Sequence, residues 1–479
     1  MKSVALIDYK HPQDGYANRD VTGTFGSAMH ADGLFGSLVT GLKKNKLRVP
    51  NITLAYLKAI AGEHGIPANH YNGMPKGESY VIIASSMHQY KNEVELAKRI
   101  KAEYPGTKIG FTGAFSSTKP EFFEEVSEFI FKEEPELAFR QFCEGERELT
   151  GMIELNEEID VKTLPFPDWD GIDLAECGYF PALMKKPFLT IQASRGCPFA
   201  CDFCPYIVLQ KEPLRRRDNN NIIAEMRSLV ERYGIRSLLF TDITFSLHRR
   251  ETKALLRAIA AEDFCLEIGC ETRLDCVDEE MVDLMIAAGF KAINIGIESP
   301  EEEVLKSSGR RPIEHQKMES LIDRLERGGI RVQAFYILGL VGDTEQSMEN
   351  TIQYSRFLNT FSAQFGILTP FPGTKSAERL TERITTFDYS KYTEYDPVVR
   401  LDDVTPEQIL KKKNRAFNGY YFRPSWMIKH GFGLVKEWSV ALLKGSSPRT
   451  DVLTPKSTTT RTVEVSDETE AVEEMVLSD

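Results

Sequence analysis

The sequence predicts an α/β protein: an N-terminal doubly wound, Rossmann-like domain, then a partial (β/α)6 barrel, then a small helical region. Three observations carry this reading. Short apolar runs alternate with helix-spaced stretches over residues 1–149. A second, longer series of the same kind starts at Phe188. The intervals in both series fit parallel strands joined by right-handed helical crossovers. At about 150 residues per domain, a chain of 479 suggests about two to four domains.

In the first series, residues 3–7 (SVALI), 80–84 (YVIIA) and 109–112 read as strands. Helices are expected over 53–63 and 92–103, where Val94, Ala97 and Ile100 recur at helical spacing. The stretch from Ala17 to Arg48 is rich in Gly, Lys and Asn and breaks the pattern. It is expected to cross the carboxyl edge of the sheet, where such folds bind ligands. Residues 150–187, punctuated by Leu164-Pro165-Phe166-Pro167-Asp168-Trp169, read as a linker.

The second series, over 188–385, predicts strands at 188–193, 236–241, 265–270, 291–297, 331–338 and 363–368. Helices at 218–233, 249–262, 278–288, 313–328 and 344–359 fall between them, giving a partial barrel whose working face is its carboxyl end. A C-terminal helical extension, 386–445, contains Thr405-Pro406-Glu407-Gln408, a capping box with proline at the first helical position. Beyond it, residues 446–479 turn to Ser, Thr, Glu and Asp without aromatics, and a disordered acidic tail is expected.

Composition excludes several classes of function. With 42% hydrophobic and 27% charged residues the chain is globular over most of its length. No apolar run approaches the roughly 18 residues of a membrane span, and the N-terminus lacks the long apolar stretch of a signal peptide, so a cytoplasmic protein is expected. A net charge of -12 argues against nucleic acid as the main partner, since phosphate binding requires a basic surface. Eight cysteines are too few for a disulfide scaffold and are expected as thiols or metal ligands.

Their placement is informative. Three of the eight lie in Ser194-Arg195-Gly196-Cys197-Pro198-Phe199-Ala200-Cys201-Asp202-Phe203-Cys204-Pro205, directly after the first barrel strand. Cys197, Cys201 and Cys204 thus offer three thiolates to one soft metal centre, and an iron–sulfur cubane with three protein ligands keeps one iron open. Structural zinc takes four ligands, and the nearest further candidate, His248, belongs to another predicted loop. The other cysteines, 143, 177, 265, 270 and 276, are scattered and read as ordinary thiols.

This cysteine loop, with Phe203 before the third cysteine, resembles the signature of the radical S-adenosylmethionine (SAM) superfamily. The resemblance continues in order through Phe240-Thr241-Asp242-Ile243-Thr244-Phe245, Gly296-Ile297-Glu298-Ser299, Tyr336-Ile337-Leu338-Gly339-Leu340 and Pro370-Phe371-Pro372-Gly373-Thr374. It implies a [4Fe-4S] cluster on Cys197, Cys201 and Cys204 and SAM chelated at the open iron. It also implies reductive cleavage to a 5′-deoxyadenosyl radical that abstracts hydrogen from a substrate. Phe203, Asp242 and Glu298 are the implied SAM contacts. Glu271 and Arg273, at the end of the third strand, are candidates for the SAM carboxylate or for substrate. An electron donor such as flavodoxin or ferredoxin is implied as well.

The N-terminal domain is similar to the cobalamin-binding domain that precedes many radical SAM barrels. Tyr80-Val81-Ile82-Ile83-Ala84-Ser85-Ser86, Phe111-Thr112-Gly113-Ala114 and Lys119-Pro120-Glu121 follow its course, and Arg423-Pro424 resembles the tail of that subclass. Cobalamin is therefore expected as a third cofactor. The chain departs from the pattern in lacking the D-x-H-x-x-G histidine: His30 has Ala28 in place of the aspartate. Ala114 and Phe115 stand where glycine and histidine are usual, and His88 reads as a loop residue.

The implied activity is cobalamin-dependent methylation of an unactivated carbon in a small molecule or lipid. Cobalamin-independent C–C bond formation, cyclisation or oxidation is the alternative, and a non-catalytic iron–sulfur or cobalamin sensor is the rival of another class. Methylthiotransfer is disfavoured, because Cys143 is the only cysteine before residue 150. Residues 420–444 mix Trp and Phe with Lys and Arg. They read either as a helix packed on the barrel or as a peripheral membrane contact.

Overall fold

The computed structural model describes residues 2–27, 47–155, 157–199 and 201–434. The tail 446–479, the end of the C-terminal extension and residues 28–46 of the long loop lie outside the described residues.

Six strands form the N-terminal sheet: β1 (Val4–Ile7), β2 (Ala68–Tyr71), β3 (Tyr80–Ala84), β4 (Lys108–Thr112), β5 (Phe129–Phe131) and β6 (Gly151–Ile153). Their order is β2-β1-β3-β4-β5-β6 and every pairing is parallel. β1 and β3 are buried at every position, as continuous apolar runs covered on both faces must be. The order reverses at β1, and ligands bind beyond the carboxyl ends of strands at such a point. Helices Ile52–Glu63 and Tyr90–Glu103 match the predicted ones, the first capped by the Asn51 side chain on Leu54 N–H.

The second sheet runs β7 (Phe188–Ile191), β8 (Ser237–Phe240), β9 (Glu267–Thr272), β10 (Phe290–Glu298), β11 (Arg331–Leu338) and β12 (Ser362–Ile367). It is parallel in sequential order, with no pairing between β12 and β7 among the described residues, so it is an open barrel. The predicted helices are present, Arg249–Glu262 with the predicted bounds. β9 starts two residues later than predicted because Asp263 and Cys265 take left-handed φ values of 49° and 54°, which end the preceding helix and delay the strand.

The segment predicted as a linker does more than connect. Its residues Gly151–Ile153 are the edge strand β6, and Gly178–Tyr179 pairs antiparallel with Leu47–Arg48. Cys177, Ala182 and Leu183 then pack with Phe188, Leu239 and Ala292 as a plug. Three-residue strands carry too little periodicity to be read from sequence.

Both sheets belong to the unit Met1–His430 and share a core. The rings of Phe25, from the N-terminal domain, and Phe371, after β12, are 5.2 Å apart. The capping box at Thr405 and Gln408 starts helix Pro406–Tyr420. Tyr420 and Trp426, from the segment with the two readings, are buried against the barrel: the Tyr420 hydroxyl donates to Thr360 O (2.8 Å) and Trp426 Nε1 donates to Phe361 O (3.1 Å).

Candidate active site

Strand alternation sets the lining of the barrel. Gly269 and Glu271 on β9, Asn294, Gly296 and Glu298 on β10, and Gln333, Phe335 and Ile337 on β11 each lie two residues apart. Most of these, with the loops at the carboxyl end, line a cavity of about 310 Å³. Its floor is polar: Asn294 Nδ2 donates to the Tyr179 hydroxyl (2.6 Å), and Gln333 Nε2 donates to Asn294 Oδ1 (2.5 Å). Val21, Thr22 and Ser27 of the N-terminal domain contribute to the wall.

The three cysteines of the loop after β7 all line this cavity. Cys197 and Cys201 are buried and Cys204 half-buried. Local chemistry shapes the loop. Ser194–Arg195 pairs antiparallel with Arg215–Arg216. Gly196 has φ 88°, and an added Cβ would lie 2.0 Å from Pro213 O, so only glycine fits there. The far end is fastened by Asp202, whose N–H donates to Ser308 O (3.0 Å) and whose carboxylate meets Arg379 Nη1 at 2.8 Å.

Several donors point at sulfur. Arg273 Nη1 lies 3.6 Å from Cys201 Sγ, the Phe199 N–H and Thr244 hydroxyl favour the Cys197 thiolate, and the Tyr206 N–H favours that of Cys204. Burial nevertheless pushes the Cys204 thiol up to about 12 and raises Cys197 as well. A bound cation would favour their ionised form. No three Cys, His, Asp or Glu among the described residues converge as ligands of a single metal ion. A cubane does not ask for that, since each thiolate meets a different iron. The donor set fits such a cluster.

The other expected residues divide. Phe203, Glu271, Arg273 and Glu298 line the cavity. Asp242, expected at SAM, is not among the lining residues: it is 1% exposed and accepts from Ser194 Oγ (2.6 Å) and Ala193 N–H (3.0 Å). As the second residue beyond β8 it lies beside the exit of β7, and it fastens the start of the cysteine loop instead.

Glu298 sits at a register shift between β10 and β11 with φ 62°, a left-handed value that non-glycine residues rarely adopt. Its carboxylate is 3.4 Å from Arg310 Nη1, and Gly296 makes the room, because a Cβ there would fall 2.1 Å from Glu298 Oε1. Burial raises the Glu298 carboxyl and Arg310 lowers it. Glu271 is pushed up to about 8 by burial and by the nearby Glu298 and Glu394. Sequence reasoning missed Arg310, Thr22, Tyr179 and Glu394. None belongs to a local pattern, and chain topology alone brings them to the cavity. Cys265, Cys270 and Cys276 do not line it: Cys265 is exposed and the other two are buried elsewhere. His88 is held by Gly26 O at 2.9 Å from Nε2.

Residues 191–355 match the model of the radical SAM superfamily. The chain carries a radical SAM domain. Such a domain uses a [4Fe-4S] cluster and SAM. The chain is 28% identical over 323 residues to an uncharacterized methyltransferase of Pyrococcus horikoshii, covering 63% of this chain and 70% of the relative. It is 29% identical over 233 residues to the hopanoid C-2 methylase of Rhodopseudomonas palustris, covering 47% and 42%. The chain thus spans between 42% and 70% of the length of these two relatives. The fold is that of the radical SAM methyltransferase TsrM of Kitasatospora setae (TM-score 0.61, 15% identity, 80% of this chain and 76% of that one). It is also that of the cobalamin-dependent SAM radical enzyme OxsB (TM-score 0.59, 14% identity, 94% and 69%).

Proposed function

We propose that this chain is a radical SAM enzyme that methylates an unactivated carbon of a small organic molecule, with Cys197, Cys201 and Cys204 as the cluster ligands. The observation that supports it is the cavity of about 310 Å³ onto which all three thiols open. The bound cluster supplies the electron that cleaves SAM to the hydrogen-abstracting radical. The protein's part is to hold and seal. Arg273 and the amide donors offset the charge on the sulfurs, Arg310 and Glu298 bind the polar end of SAM, and Phe203 shields the cluster from water. The electron is taken from a flavodoxin or ferredoxin.

Cobalamin belongs at the carboxyl edge of the N-terminal sheet. Ala84, Ser85, Thr112 and Gly113 form a cradle of small residues there, and a Cβ on Gly113 would lie 2.9 Å from Ser85 Oγ. Asn51, Thr24 and Gln192 line the same space and suit the amide substituents of the corrin, so the donor set fits. His88 is engaged elsewhere, so cobalt has no histidine ligand from that position. The volume enclosed is about 50 Å³, smaller than a corrin, with Arg19, Asp20, Gly23 and Thr24 on one side of it. That small volume favours the second reading, cobalamin-independent C–C bond formation, cyclisation or oxidation by the same radical.

Among the described residues no helix is long and apolar enough to cross a membrane. Peripheral contact through 420–444 rests on the exposed Phe422 and Ile428 (65% and 72% exposed) and would suit a lipid substrate. The visible spectrum of anaerobically purified protein, grown with cobalamin, tests the proposal. Cluster and corrin bands together support methylation, a cluster without corrin supports the second reading, and neither chromophore overturns both.

A further inference from the structure

The charges around the barrel cavity do not balance. Arg273 is paired with Asp275 at 2.7 Å, and its guanidinium lies 4.0 Å from the centre of the Phe199 ring. Arg310 is paired with Glu298 at 3.4 Å. Two further carboxylates line the same cavity, Glu271 and Glu394, and among the described residues neither has a cationic partner. Among the described residues, Glu394 accepts hydrogen bonds from hydroxyls, those of Thr22 (3.5 Å) and Ser27.

The two come from separate parts of the chain. Glu271 stands near the end of the third strand, β9. Glu394 is carried by the segment beyond β12, where its carbonyl accepts from Ile367 N–H (2.7 Å) and its φ is 65°. That backbone conformation is costly for a glutamate, and it brings the side chain to the cavity wall. Uncompensated carboxylates in a water-poor cavity are unfavourable unless they carry a proton or meet a cation. Burial, with the charge of the nearby Glu298, accordingly pushes Glu271 up to about 8 and Glu394 up to about 7.

We infer that Glu271 and Glu394 together accept a positively charged nitrogen of the substrate, so that the substrate class is an amine-bearing small molecule. The inference rests on the radical SAM reading and adds the chemistry of the ligand to it. SAM also carries positive charge; Glu271 lies within residues 191–355, the part of the chain that matches the radical SAM model, and Glu394 outside it, so the SAM affinity of the Glu394 variant distinguishes the two ligands. The polar floor of Tyr179, Asn294 and Gln333 then receives the uncharged part of the ligand, which accounts for a second buried polar group in the same cavity.

Calorimetric titration of reconstituted, SAM-saturated protein at pH 9 with hexylammonium, and with hexan-1-ol as the neutral analogue, tests this. The ammonium is expected to bind about tenfold more tightly than the alcohol, and Glu394→Gln and Glu271→Gln are each expected to abolish the difference. Equal binding of the two probes by the wild type overturns the inference, as does a preference that survives in the double variant. Unchanged SAM affinity in Glu394→Gln shows that the variant is folded and that Glu394 serves another ligand. A tenfold loss of SAM affinity in that variant assigns the carboxylate to SAM and overturns the inference. Protein that binds neither iron nor SAM overturns the radical SAM reading itself and the inference with it, whereas a loaded protein indifferent to the ammonium overturns the inference alone.

Discussion

Arg195 Nη2 lies 2.7 Å from Glu136 Oε1, and both residues are buried. Arg195 precedes Cys197 by two positions, so this ion pair ties the cysteine loop of the barrel to the N-terminal domain. Glu134 joins at 3.2 Å from Arg195, Lys211 pairs with Glu133 at 2.7 Å, and Arg215 Nη2 donates to Glu134 at 3.0 Å. The acidic run after β5 thus holds the base of the cluster loop through three cations.

Removing one partner of a buried pair leaves a charge without compensation, at a cost of about 3–5 kcal/mol. Glu136→Ala is expected to lose stability in the lower part of that range, because Glu134 remains. Denaturant unfolding of the apoprotein measures it, and a change below about 1 kcal/mol would show that the pair is not a structural tie.

Gly296→Ala places a methyl group against the Glu298 carboxylate. The side chain must turn away from Arg310, so SAM affinity is expected to fall about tenfold or more while the cluster is retained. Equilibrium dialysis with SAM reads the affinity, and iron analysis of the same sample reads the cluster. Undiminished affinity would remove Glu298 from the SAM site.

Asp242→Ala frees the Ser194 hydroxyl and the Ala193 N–H, leaving buried donors unsatisfied at about 1–3 kcal/mol each. The cluster is expected to be lost faster under air than in the wild type, with SAM affinity of freshly loaded protein unchanged. Selective loss of SAM affinity would restore Asp242 to the role the sequence suggested.

His70 and His88 give a pH dependence with a definite sign. Burial lowers each to about 4, against about 6.5 for an unfolded histidine. Below pH 6.5 the unfolded chain takes up protons that the folded one refuses, so their contribution to stability is complete above that pH and is lost as pH falls toward 4. Glu271 and Glu394, with raised values, act in the opposite sense, so the comparison must be between variants. His70→Asn and His88→Asn are expected to lose less melting temperature than the wild type between pH 7 and pH 5. Parallel curves would contradict the neutral state of these half-buried rings.

The sequence was legible where local pattern and tertiary role coincide. Apolar runs such as residues 80–84 and helix-spaced runs such as 249–262 gave strands and helices close to the observed ones. The three cysteines were legible because their spacing places all of them on one loop after a strand. The surroundings of Asp242 were not legible, because a strand-end carboxylate looks the same whether it faces a cavity or caps a neighbouring loop. Glu394 was invisible: it reaches the cavity only through the return of the chain past β12, and no spacing along the sequence encodes that return.

The most direct measurement of the central claim is iron and acid-labile sulfide per chain in oxygen-free wild-type protein and in C197A, C201A and C204A. About four of each per wild-type chain, with loss in every variant, is the expected result. Wild-type protein without iron and sulfide, or variants that keep both in full, would contradict it.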